Sequence, residues 1–143
     1  DGGLYLENHS EFASVRANAS VKSGRWMYEV MLHTAGIMQI GWASKRCMFS
    51  VADGVGDSPN SYAYDGARLV HWNNRLYQGY GQQWVQGDVI GCCFDVSRGE
   101  ISFTRNGESL GVAFTNIRRR ADTSFYPALS LSQNECVTVN FGG

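Results

Sequence analysis

Apolar and polar residues alternate along short segments of this chain, and the alternation breaks about every ten residues at glycine, asparagine or aspartate. Trp26, Tyr28, Val30 and Leu32 fall on one face of a strand, and Met27, Glu29, Met31 and His33 on the other, because successive side chains of a strand point to opposite sides. Ile37–Ala43 ("IMQIGWA") follows after only Thr34-Ala35-Gly36, a link short enough to predict an antiparallel neighbour. Further strands are predicted at Leu69–Trp72, Val89–Val96, Glu100–Arg105, Ser109–Phe114, Tyr126–Leu131 and Cys136–Phe141. No segment sustains the 3.6-residue apolar period of a helix. Many short strands between glycine turns predict an all-β chain, an antiparallel sandwich or barrel.

Composition narrows the picture. A length of 143 residues fits one domain, 1–143, with an adequate core; the abrupt ends, Asp1 and Gly143, are read as those of a domain cut from a longer chain. Hydrophobic residues at 43% and charged residues at 17% mark a globular chain. The net charge of -1 gives no general pull toward nucleic acid or anionic membrane, and no apolar run approaches the roughly 20 residues that span a bilayer. The four cysteines, Cys47, Cys92, Cys93 and Cys136, form no C-x-x-C pair and read as small apolar residues of a cytoplasmic protein. The histidines His9, His33 and His71 are scattered, so neither a metal site nor a cofactor is expected. Two sequons, Asn8-His9-Ser10 and Asn18-Ala19-Ser20, matter only in a secreted chain.

One stretch carries two incompatible signals. Gly107-Glu108-Ser109-Leu110-Gly111 matches the G-x-S-x-G elbow of serine hydrolases, which needs a sharp turn from a strand into a helix. Here Ser109 is followed by "LGVAF", a strand-like run, and no histidine lies downstream. Asn106-Gly107 is instead a strong signal for a tight hairpin, because both residues tolerate positive φ. The stretch reads as a hairpin and the domain as non-catalytic. Asp65, Asp88 and Asp95 likewise sit in turn contexts. "GVGDSP" and "GYGQQW" fall short of a dinucleotide-binding fingerprint.

The run "GDVIGCCFDVSRGEISFTRNGESLGVAF", Gly87–Phe114, resembles the central signature of SPRY domains: Phe94-Asp95, Gly99, Ile101 and Phe103, Asn106-Gly107, Leu110-Gly111 and Ala113-Phe114. "SGRWMYEV" and "IGWA" look like the earlier strands of that family, and "FYPALSL" and "VTVNFG" like its closing ones. A finer likeness, carried by "EFASVRANASVKSGRWMYEV", "GVGDSPNSYAYDGAR" and "WN", is to the SPRY domain of RING ubiquitin ligases of the Kip ubiquitylation-promoting-complex type. The chain holds no RING of its own, which would need about eight paired ligands.

The resemblance implies a bent sandwich of two antiparallel sheets, a concanavalin-like jelly roll, acting as a non-enzymatic protein-recognition module within a ubiquitin ligase. The partner would be a protein or short peptide, with no nucleic acid and no membrane, and the domain a monomer in isolation. By position in the family, binding would draw on Ser10–Phe12, Met48–Asp57, Asn73–Tyr80 and Ser132–Asn134. Within them the candidates are Ser10, Glu11, Phe12, Met48, Val51, Asp57, Asn73, Arg75, Tyr77, Tyr80, Gln133 and Asn134. Asp57 also reads as a cap on the "GVGD" loop. Peptide-binding relatives carry a tryptophan-glycine pair where Gln133-Asn134 stands, which implies a different peptide motif. Trp26, Trp42, Tyr62, Tyr64, Phe94, Phe103, Phe114 and Phe141 are expected in the core, and Arg118-Arg119-Arg120 as a solvated turn. Two other classes stay open: a carbohydrate- or small-ligand-binding sandwich, and an architectural domain packing within its own parent chain.

Overall fold

The computed structural model describes residues 3–118 and 123–141, and the regular elements among them are strands: β1 (Leu4–Glu7), β2 (Ala13–Arg16), β3 (Arg25–Leu32), β4 (Met38–Ser44), β5 (Ser61–Asp65), β6 (Val70–Asn73), β7 (Leu76–Gly79), β8 (Val89–Asp95), β9 (Glu100–Arg105), β10 (Glu108–Phe114), β11 (Phe125–Leu131) and β12 (Cys136–Asn140). They form two six-stranded sheets, ordered β1-β12-β3-β8-β9-β10 and β2-β11-β4-β5-β6-β7, with antiparallel pairing throughout. The expected all-β sandwich is what the chain adopts.

The alternation along β3 sets the inner face. Tyr28, Val30 and Leu32 are buried while Met27, Glu29 and Met31 are exposed. Across the core they meet Met38, Ile40 and Trp42 of β4. The Tyr28 hydroxyl donates to Gly41 O at 2.6 Å, and its ring stands edge-on to Trp42 at 5.3 Å. Trp42 meets Phe94 at 5.5 Å, and Phe94 meets Phe125 at 4.9 Å. Edge-to-face pairs of this kind satisfy the ring quadrupoles while filling the gap between the sheets.

That packing corrects the predicted pairing of the first two strong strands. β3 and β4 are not paired with each other: they lie in different sheets. The short 33–37 link arches over the core, because both strands have an apolar face that a cross-core arrangement buries. Two expected core aromatics also differ: Trp26 and Phe141 are 51% and 47% exposed. Trp26 keeps the inward face of β3, but it sits beside the open edge between β1 and β2, where a recess of about 510 Å³ remains. The segment Asn73–Tyr80, expected to contribute to binding, is not irregular throughout: Asn73 ends β6, and Leu76–Gly79 forms β7. β6 and β7 are joined by Asn74 and Arg75 at φ 53° and 62°, a two-residue turn that fixes Asn73 opposite Leu76.

The hairpin expected at Asn106-Gly107 is present, with φ of 51° and 84° and Arg105 paired to Glu108. Cys92 and Cys93 point to opposite faces, one buried and one half-buried. Arg119 and Arg120 lie outside the described residues.

Candidate functional site

The outer face of the second sheet explains how the predicted loops come together. Cross-strand pairing sets out one row of side chains on that face: Arg16, Ala128, Gly41, Ala63, Trp72 and Tyr77. The middle of the row is small, so residues 45–60 can lie flat across it. Val55 is fully buried there against Ala43, Ala63 and Ala128. A Cβ on Gly41 would come within 1.8 Å of Tyr62 O, so only glycine lets β4 and β5 pair this closely.

The covering loop is held by its own polar groups. The Val55 N–H donates to Ser130 Oγ at 2.8 Å, and the Gly56 N–H to Ser61 Oγ at 2.8 Å. Asp57 Oδ2 accepts from the Gly54 N–H at 2.8 Å, the loop cap expected for this carboxylate. The Arg75 N–H reaches Gly56 O at 3.0 Å.

Beyond the loop the sheet is uncovered, and a depression of about 430 Å³ opens. Each of the four expected segments contributes to its walls: Phe12, Asp57, Arg75 and Ser132. Trp72 forms one side, with the Arg68 guanidinium 5.0 Å above its ring. Arg68 is itself anchored on Asp65, which is fully buried. Arg75 pairs with Asp53 at the mouth.

Gln39 lies at the bottom. It is 3% exposed and lines the depression. Polar groups at Gln39, Asp57 and Ser132, set between Phe12, Ile37 and Trp72, suit a polypeptide segment, which carries amides and side chains at short intervals.

The other candidates are placed differently. Tyr77 is 65% exposed and stacks on Trp72 at 5.3 Å, extending the wall of the depression outward. Met48 and Val51, 84% and 63% exposed, sit on the covering loop, while Ser10, Glu11, Gln133 and Asn134 form the exposed rim. Asn73 is a structural strap whose amide donates to Pro59 O and Ser61 O. Tyr80 is not brought to this site. Its ring packs edge-on to Tyr64 at 5.4 Å in the seam between the sheets, its hydroxyl donates to Gly111 O, and burial raises the phenol pKa.

Several residues here escaped the sequence. Asn8 is buried; its amide donates to Glu11 O at 2.8 Å and Leu131 O at 2.7 Å, and its backbone carbonyl accepts from Asn134 N. It ties the first rim segment to the last, so this sequon asparagine is a structural clasp. Gln39, Arg68 and Trp72 were hidden because each sits in a strand-like or turn context; strand alternation could have put Gln39 and Trp72 on an outward face, but not in a depression.

Ser109 has none of the features of an activated nucleophile: its Oγ accepts from the exposed Gly111 N–H at 3.1 Å. No group of three or more His, Cys, Asp or Glu residues is placed to hold a metal ion among the described residues.

A family model of the SPRY domain matches residues 25–143. The chain belongs to the SPRY family. This SPRY domain is 54% identical over 140 residues, 97% of its length, to E3 ubiquitin-protein ligase RKP of Arabidopsis thaliana. It is also 32% identical over 133 residues, 92% of its length, to ATP-dependent RNA helicase Ddx1 of Drosophila melanogaster. It spans 11% of the length of the ligase and 18% of that of the helicase. The likeness to a ubiquitin-ligase SPRY domain read from the sequence therefore holds.

Proposed function

We propose that this SPRY domain is a non-enzymatic recognition module that captures a protein segment in the depression above Gln39 and recruits it to a ubiquitin ligase. The observation that carries the reading is the convergence of four sequence-distant segments on one depression lined by Gln39. The ligase context rests on the likeness to RKP. Most of the wall is held by hydrogen bonds before any partner arrives, so little ordering accompanies capture.

Selection from a random displayed-peptide library on the immobilised domain tests this. Enriched peptides should bind Arg75→Ala, Tyr77→Ala and Gln39→Leu on the order of tenfold more weakly. The two surface variants should melt within about 4 °C of wild type, since the exposed Arg75–Asp53 pair adds little stability. Unchanged affinity in all three variants would move the site elsewhere. Signal on a glycan array without any enriched peptide would favour the carbohydrate-binding class.

A further inference from the structure

At the edge formed by β1 and β2 the inner faces of the two sheets are bare. Leu4 pairs with Val139, Val15 with Leu129 and Trp26 with Phe94, and all three partners are buried in the core. Residues directly opposite on paired strands share a face, so Leu4, Val15 and Trp26 look inward between the sheets. They are nonetheless 52%, 39% and 51% exposed. The space they border is the recess of about 510 Å³ beside Trp26. Tyr28 and Trp42 line it from the core, and Phe141 from just past β12. Among the described residues it shares no lining residue with the depression above Gln39. Trp42 is 1% exposed, and its indole N–H is buried without a hydrogen-bond partner among the described residues. A buried donor left unpaired is costly, and this one belongs to a residue that lines the recess.

The geometry points to a binding site here for an uncharged, flat, ring-based small molecule that carries a carbonyl oxygen. An apolar cavity of about 150 Å³ already takes up benzene. The recess is about three times that size, room for several fused rings and more than any one protein side chain fills. It also falls within the roughly 300–1,000 Å³ of small-molecule sites. Stacked sheets lie about 10 Å apart, which leaves a slot one layer of side chains thick. The rings of Trp26, Tyr28, Trp42 and Phe141 on its walls offer aromatic surface to a flat ligand. Arg16 also lines the recess, but its guanidinium donates to Ser44 O at 2.6 Å and Cys47 O at 2.9 Å. It is thus committed to the fold and is not held for an anionic head group. A carbonyl oxygen accepts from the Trp42 N–H without the desolvation cost of a charge.

The test is an NMR titration of the domain with prodan, an uncharged naphthyl ketone, following the four tryptophan indole N–H signals. Ethylnaphthalene, which lacks an acceptor, and the anionic anilinonaphthalene sulfonate serve as comparisons. Prodan should shift the Trp26 and Trp42 signals and leave those of Trp72 and Trp84 in place. The Trp42 proton should move downfield with prodan as it gains an acceptor, and not with ethylnaphthalene. Val15→Trp fills the recess and should weaken prodan binding on the order of tenfold or more, while Arg75→Ala should bind as wild type. If Val15→Trp fails to fold, Leu4→Trp supplies the same readout. No movement of the Trp42 signal, equal movement of all four indoles, or affinity unchanged in the filled variant would each overturn the site. Ethylnaphthalene binding as tightly as prodan would overturn the role of the Trp42 donor. Tighter binding of the sulfonate than of prodan would overturn the assignment to an uncharged ligand.

Discussion

Asp88 shows how a single residue in a turn can secure two strands. It is 5% exposed and accepts from Val85 N at 2.8 Å, Arg105 Nε at 2.7 Å and Asn106 Nδ2 at 2.9 Å. Burial pushes its carboxyl pKa up, but these donors outweigh burial and hold it below the usual 3.8. Its stabilising contribution is therefore present at neutral pH and is lost as pH falls below that value. Asp88→Asn should cost roughly 2 kcal/mol, read as a lowered urea midpoint at pH 7. His71 behaves in the opposite chemical sense with the same pH direction. It packs 4.4 Å from Phe114, its Nδ1 is buried without a partner among the described residues, and burial lowers its pKa from 6.5. The unfolded chain binds the proton first, so stability should decline as pH falls below about 6.5. Thermal melts of His71→Phe should show less of this decline between pH 7 and pH 5. The sequence placed Asp88 in a turn after Gly87 but could not show its donors, which come from three separate positions. It placed Trp26 on the correct face of β3, yet the periodicity of a strand says nothing about how far along it the opposing sheet extends.

At the level of elements, two glycines separate conformational need from spatial need. A Cβ at Gly107 would meet nothing within 4 Å, and only its φ of 84° disfavours a side chain. Gly107→Ala should then cost about 1 kcal/mol, from the left-handed backbone alone. Gly41→Ala drives a methyl against the Tyr62 carbonyl and should cost more than about 3 kcal/mol by prising β4 from β5. Chemical denaturation of the two variants side by side checks the contrast. The Asn106-Gly107 hairpin was legible because its turn chemistry is local. The arch between β3 and β4 was not, because a short link demands opposite directions without specifying one sheet or two. β7 was hidden in the same way: Leu76–Gly79 is a 4-residue edge strand with every residue exposed, so it lacks the alternation that burial imprints.

At the scale of the whole molecule, the sandwich and its family could be read from ordered motifs spread along nearly the entire chain. The four loop segments could be placed by that resemblance, and the chain folds so that each contributes to one depression. Gln39 could not be found this way. In "IMQIGWA" it is one polar residue among apolar ones, and it becomes the floor of a depression only because residues 45–60 fold back over its neighbours. β4 runs on from this floor to Ser44, opposite Phe125. From Gln39 to Ser44 is five residue steps, about 17 Å in a strand, and both faces of the strand are buried along its whole length. It therefore acts as a rigid strut of set length. A partner segment laid over Gln39 would therefore meet a floor that does not yield and would have to fit its own side chains to it.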